Sequence, residues 1–219
     1  MPLKIEHIVV FAGYRDWSEK ILSELELQFP DCVFLQVRTN SQLIKVLRNL
    51  NVDLVLMAGW SWIVPSDLVE KVPIYGMHPS DLPKYAGGSP IQHQIIDGVL
   101  DSKISIFQLS PELDAGAIVG KSELDLRGHL DQIFERITQN TILLFSQLLH
   151  EFPNVKSMEN ASDEFETRRR LKPEDSRIEK NEILNLSCLN LFNLIRAREE
   201  PYPNVYICLL YTSPSPRDA

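Results

Sequence analysis

Short runs of consecutive apolar residues alternate with segments whose apolar positions recur every three or four residues. IEHIVVFA (Ile5–Ala12), DCVFLQV (Asp31–Val37), DLVLMAG (Asp53–Gly59) and VPIYGMH (Val72–His78) have the density and length of buried strands. Between them WSEKILSELELQF (Trp17–Phe29), SQLIKVLRNL (Ser41–Leu50) and PSDLVEK (Pro65–Lys71) carry helical spacing, with Ser41 as an expected N-cap. SPIQHQIIDG (Ser89–Gly98) starts a helix with Ser89 at the cap and Pro90 at the first helical position. KISIFQLS (Lys103–Ser110) and AIVGKSELDL (Ala117–Leu126) alternate like strands. A long amphipathic stretch, Leu130–Phe152, then closes the domain. Strands and helices taking turns with short connections predict an α/β fold, a doubly wound and mostly parallel sheet occupying residues 1–152.

The pattern changes after Phe152. Residues 153–207 open as a polar, charged connector containing at most one short strand. A last helix follows in NLSCLNLFNLIRARE (Asn185–Glu199), and then PYPNVYI. The final stretch, CLLYTSPSPRDA (Cys208–Ala219), resembles the translation of a transposase adapter used in preparing DNA libraries. It is expected to be foreign to the fold, with the natural chain cut near Ile207.

Composition narrows the class. The chain has 219 residues, 44% hydrophobic and 24% charged, enough for one substantial core. No apolar run is long enough to span a bilayer, and the N-terminus lacks the apolar core and cleavage site of a secretory signal. Cys32, Cys188 and Cys208 stand far apart without metal-ligand or disulfide-framework spacing, which fits a cytoplasmic protein and indicates no metal site. A net charge of −8 argues against a broad nucleic-acid footprint. The one basic run, Arg168–Arg170, reads as a solvated face. No Gly-rich dinucleotide fingerprint follows the first strand; FAGYRDW offers only Gly13, in a loop expected to face an acceptor substrate.

The chemistry concentrates in GMHPSDLPKYAGGSPIQ (Gly76–Gln92). His78 ends a predicted parallel strand, where open α/β sheets form their crevices, and imidazole exchanges protons near neutrality. Pro79 and Pro83 stiffen the loop behind it. Gly87 and Gly88 permit positive φ or close approach of a substrate, and the helix from Ser89 turns its amide donors toward the same place. In SPELDAGAI (Ser110–Ile118), Asp114 follows the next strand. Alone it is a turn signal, but it converges on His78 if the two strands lie close.

HPSDLPKYAGGSPIQ followed by LDAGAI resembles the 10-formyltetrahydrofolate-dependent formyltransferases, over about Ile5–Phe152 and more faintly in IRAREEPYPN. The resemblance implies a formyl group taken from 10-formyltetrahydrofolate as co-substrate, with His78 and Asp114 catalytic. It also implies that Ser61, Trp62, Ile63 and Val64 border the folate pterin on one side, and Glu112 and Leu113 on the other. The family motif has asparagine where this chain has Gly76; either a neighbour such as Gln92 or a backbone amide is expected to substitute as donor, or the chemistry is expected to be slower. The acceptor is expected to be the primary amine of an amino sugar on a nucleotide, a small-molecule partner. Methionyl-tRNA is the alternative acceptor, and a catalytically silent folate-binding protein is the alternative outside enzymes.

Overall fold

The computed structural model describes residues 7–160 and 167–207. Six strands form one sheet: β1 (His7–Ala12), β2 (Cys32–Val37), β3 (Leu54–Met57), β4 (Ile74–His78), β5 (Asp101–Gln108) and β6 (Ile118–Asp125), in the order β2-β1-β3-β4-β5-β6. The helices are α1 (Asp16–Gln28), α2 (Asn40–Asn49), α3 (Ser66–Val69), α4 (Pro90–Ile96), α5 (Leu130–Glu151), α6 (Lys180–Asn185) and α7 (Cys188–Arg196). The sheet is mostly parallel with helices on both faces, as the alternating pattern predicts. The foreign-tail expectation for Cys208–Ala219 lies outside the described residues.

Residue alternation sorts the core into two layers. Val9, Phe11, Leu54, Leu56 and Tyr75 face one side with Ile21 and Leu25 of α1, Ile91 and Ile95 of α4, and Ile133, Ile137 and Phe145 of α5. Val10, Ala12, Val55, Met57 and Ile74 face the other with Leu43 and Leu47 of α2 and Leu68 of α3. Central strands buried on both faces explain why β1, β3 and β4 read as unbroken apolar runs.

One expectation needs correction. The α2 cap is Thr39, not Ser41: the Gln42 amide donates to the Thr39 hydroxyl at 3.3 Å while Gln42 Oε1 accepts from the Thr39 amide at 3.2 Å. The antiparallel part of the mostly parallel sheet lies at β5, whose direction no expectation specified. β5 pairs antiparallel with both β4 and β6, with His78 opposite Ser105 and Tyr75 opposite Gln108. The end of β5 therefore lies beside the beginning of β4, at the opposite edge of the sheet from His78.

The polar connector packs against the sheet domain. Met158 exchanges backbone hydrogen bonds with Ile118 at the start of β6, and the Arg168 amide donates to the Ala86 carbonyl at 2.7 Å. Farther on, the buried Arg196 guanidinium donates to the carbonyls of Leu126 and Gly128, and His129 pairs with Glu199 at 2.6 Å. Among the described residues no helix is long and apolar enough to cross a membrane.

Phe145, on α5 against the sheet, is with Phe11 the largest fully buried side chain of that layer. Phe145→Ala is expected to lower unfolding free energy by about 3–5 kcal/mol, read by urea denaturation; a loss below about 1 kcal/mol would mean α5 is not the lid of this core.

Candidate active site

His78 is buried at the end of β4, and its ring is fixed from two sides. Nε2 lies 2.9 Å from the Tyr85 carbonyl, which only accepts, so Nε2 carries a proton. The other ring nitrogen, Nδ1, lies 3.6 Å from Asp114 Oδ2. The same Oδ2 accepts the Gly87 amide at 2.8 Å. The pair forms although β5 delivers the chain to the wrong edge, because the loop Leu109–Ala117 folds back over the sheet. Asp114 takes a left-handed conformation, φ 52°, and Gly116 passes so close to the Gln108 carbonyl that a Cβ there would collide with it. A carboxylate one water or one small approach away from an imidazole nitrogen can exchange a proton with it.

The loop carrying Tyr85 is held by its own network. Ser80 Oγ donates to the Lys84 carbonyl at 2.7 Å, and Ser105 Oγ to the Ser80 carbonyl at 2.8 Å. Tyr85 (φ 57°) donates its hydroxyl to Asp97 at 3.1 Å; burial and that carboxylate hold the phenol above its ordinary pKa. Arg168 from the connector caps the cluster, pairing with Asp97 at 3.1 Å and lying over the Tyr85 ring.

The glycine pair serves a purpose the sequence did not disclose. Gly87 (φ 96°) and Gly88 are approached by the chain's own backbone, and a Cβ on either would strike Arg168 or Arg170. The Gly88 amide donates to the Arg168 carbonyl at 2.7 Å, and Ser89 Oγ accepts the Leu171 amide at 3.0 Å. Ser89 is the α4 cap residue, yet its hydroxyl makes no capping bond and serves the connector instead. The basic run is solvent-exposed, but its backbone straps the loop and its side chains are engaged: Arg168 with Asp97, Arg169 with Asp175 at 2.6 Å. Strong pairing with Arg169 holds Asp175 below the usual carboxylate range.

The remaining residues singled out from the sequence divide. Ile63 (84% exposed) and Trp62 (41%) stand out from the turn after β3, and Leu113 (61%) from the loop before Asp114, beside the exposed Glu112. Exposed apolar side chains on two loops suit a flat ring that would cover them. Ser61 instead bonds the Tyr14 hydroxyl at 2.6 Å, Trp62 packs on Tyr14, and Val64 is buried in the core layer with Leu43 and Leu68. At Gly76 an added Cβ would lie 2.9 Å from Leu109 and 3.1 Å from Phe107, so apolar side chains fill the space on that side.

A cavity of ≈ 330 Å³ opens beside His78, walled by Ser61, Gln92, Phe134 and Ile137 of the sheet domain and by Arg170, Lys172, Arg198 and Tyr202 of the connector and C-terminal segment. Arg15 completes four cations on its wall, and among the described residues no carboxylate lines it. Arg198 is only 7% exposed, its NH1 has no hydrogen-bond partner among the described residues, and burial lowers its pKa, opposed by Asp175. Tyr202 is pushed up by burial, offset by the neighbouring Gln92 amide. The sequence hinted at this wall through the FAGYRDW loop, the IRAREEPYPN segment and the basic run, but singled out neither Arg15 nor Arg198 within them.

Comparison with known proteins places these features. The "Formyl transferase" family profile matches residues 23–143. The chain is similar to a methionyl-tRNA formyltransferase of Rickettsia massiliae, 27% identical over 185 residues, covering 83% of this chain and 59% of the relative. It spans about half the length of the curated relatives it matches. In fold it is similar to a methionyl-tRNA formyltransferase from Clostridium thermocellum (TM-score 0.81, 24% identity, covering 93% of this chain and 88% of that one). It is also similar to a 4-N formyltransferase from Francisella tularensis (TM-score 0.72, 17% identity, 92% of each chain).

The close backbone approach makes a test of the strap. Gly87→Ala is expected to cost at least about 1–3 kcal/mol through its positive φ and the collision with Arg168. Thermal unfolding measures this, and an unchanged midpoint would show that the strap does not hold the loop.

Proposed function

The chain belongs to the formyl transferase family, and from that premise we propose that it moves the formyl group of 10-formyltetrahydrofolate to a primary amine. The observation that carries the reading is the His78–Asp114 pair, Nδ1 facing Oδ2 at 3.6 Å beside a cavity open to an acceptor. The amine attacks the formyl carbon; a C–N bond forms and the carbonyl electrons collect on oxygen. His78, with Nε2 committed to Tyr85, offers Nδ1–H to that oxygen when protonated. Asp114 takes the proton the amine sheds, through water. Collapse of the tetrahedral species breaks the bond to the folate nitrogen, which leaves with the proton that Asp114 took from the amine, returned through water. The amide that the family motif has at position 76 is supplied on this reading by Gln92, buried on α4 and lining the same cavity as His78. The exposed face of Ile63, Trp62 and Leu113 is proposed to receive the pterin.

For the acceptor, the cavity favours an amine on an anionic carrier. Among the described residues four cations and no carboxylate line it, and the buried Arg198 has a donor to spare. We place an amino sugar on a nucleotide first. The cations gather within one cavity of an acidic chain, while Arg168 and Arg169 are neutralised by Asp97 and Asp175, leaving little outward basic surface for a large nucleic acid. Methionyl-tRNA is the second reading, favoured by the methionyl-tRNA formyltransferases among the relatives.

Incubation of the chain with 10-formyltetrahydrofolate and either a nucleoside-diphosphate amino sugar or methionyl-tRNA, with mass spectrometry for the N-formyl product, tests the reading. Product from neither acceptor, with folate still bound, would favour the silent alternative. His78→Ala, Asp114→Asn and Gln92→Leu should each lower kcat by about a hundredfold or more, with KM for 10-formyltetrahydrofolate little changed. Full activity in any one removes that residue from the assignment. Arg198→Met should instead raise the acceptor KM by about ten- to a hundredfold at unchanged kcat, the cost of one charge-assisted hydrogen bond; an unchanged KM would remove the anion-binding role.

A further inference from the structure

We infer that Asn160, beyond the segment that the family profile matches, is a positioning residue that holds Asp114 in register with His78; what that register serves rests on the formyl-transfer reading. Asp114 sits at φ 52°, a conformation in which a residue with a Cβ stays only when its surroundings impose it. Its carbonyl accepts Asn160 Nδ2 at 2.8 Å. Asn160 is itself fixed two residues earlier, where Met158 and Ile118 exchange backbone hydrogen bonds at 2.8 and 2.9 Å. From the other side the Gly87 amide holds the carboxylate. The main chain of Asp114 is thus gripped by the connector and its side chain by the glycine loop. Rotation of the main chain toward negative φ would swing Oδ2 away from both Gly87 and His78.

Packing alone does not account for the residue. Asn160 is 8% exposed, and its Oδ1 has no hydrogen-bond partner among the described residues. Leucine has nearly the same shape and would bury no unpaired acceptor. Among the described residues the amide makes one side-chain bond, and that bond goes to the residue that faces His78.

The test uses the Gly87 amide as a reporter, because its hydrogen bond to Asp114 registers where the carboxylate lies without any acceptor present. In ¹⁵N-labelled protein, Asn160→Leu should move the Gly87 resonance toward its position in Asp114→Ala while the thermal midpoint holds. With 10-formyltetrahydrofolate and the acceptor used by the unaltered chain, kcat should fall by about ten- to a hundredfold at unchanged folate KM. Asn160→Asp, which keeps the shape and loses the donor, should do the same and serves if the leucine variant does not fold. A Gly87 resonance that stays in place, or one that moves with kcat intact, overturns the inference. A moved resonance in a chain whose unaltered form transfers no formyl group would instead overturn the function proposed for the pair and leave the grip on Asp114 standing.

Discussion

The site depends on a single carbonyl, that of Tyr85. By accepting from Nε2 at 2.9 Å it fixes which nitrogen of His78 holds a proton and which way the ring faces, and it leaves Nδ1 as the atom free to trade a proton with Asp114. A ring free to flip would present either nitrogen and lose half its productive orientations. The carbonyl is itself placed by a loop in which Tyr85 has positive φ, its hydroxyl is tied to Asp97 and its ring is covered by Arg168. The orientation of one imidazole thus draws on residues from the sheet, the loop and the connector.

The antiparallel turn of β5 imposes the second constraint. In a wholly parallel sheet both chemical groups would emerge at one edge. Here the chain must double back from the far edge, and the means are visible: the close passage at Gly116, the left-handed Asp114, and the Met158–Ile118 pairing that pins the returning strand. A doubled-back loop makes few bonds of its own, so it takes its shape from neighbours, and the connector supplies them.

The sequence was most legible where the periodic signal was strongest. β1, β3 and β4 read as strands because both faces are buried; α1 and α5 read as helices because each presents one apolar stripe to the sheet. The His78 and Asp114 positions stood out through Pro, Gly and ionisable residues gathered around predicted strand ends. What stayed hidden depended on partners distant in the chain. The direction of β5 is not encoded in its alternation, which is the same parallel or antiparallel. Thr39 and Ser41 are both competent caps, and only the Gln42 reciprocal bond separates them. Gly87–Gly88 showed a need for close approach but not that residues 168–170 make it. A polar connector has no periodicity, so its role could emerge only from the bonds it makes.

Those bonds change where the functional unit ends. An appendage would be tied to the domain through side chains at its rim, whereas this connector enters by its backbone: Met158 to Ile118, Arg168 to Ala86 and Gly88, Leu171 to Ser89. Backbone pairing leaves the side chains of the same segment free, and Arg170 and Lys172 spend that freedom on the cavity wall. One stretch of chain therefore braces the His78–Asp114 pair through main-chain bonds and the Asn160 amide, and sets the charge of the neighbouring cavity with Arg170 and Lys172. Substitutions there can retune the cavity while the main-chain bonds persist, so that on the proposed function one reacting pair could be matched with different acceptor walls.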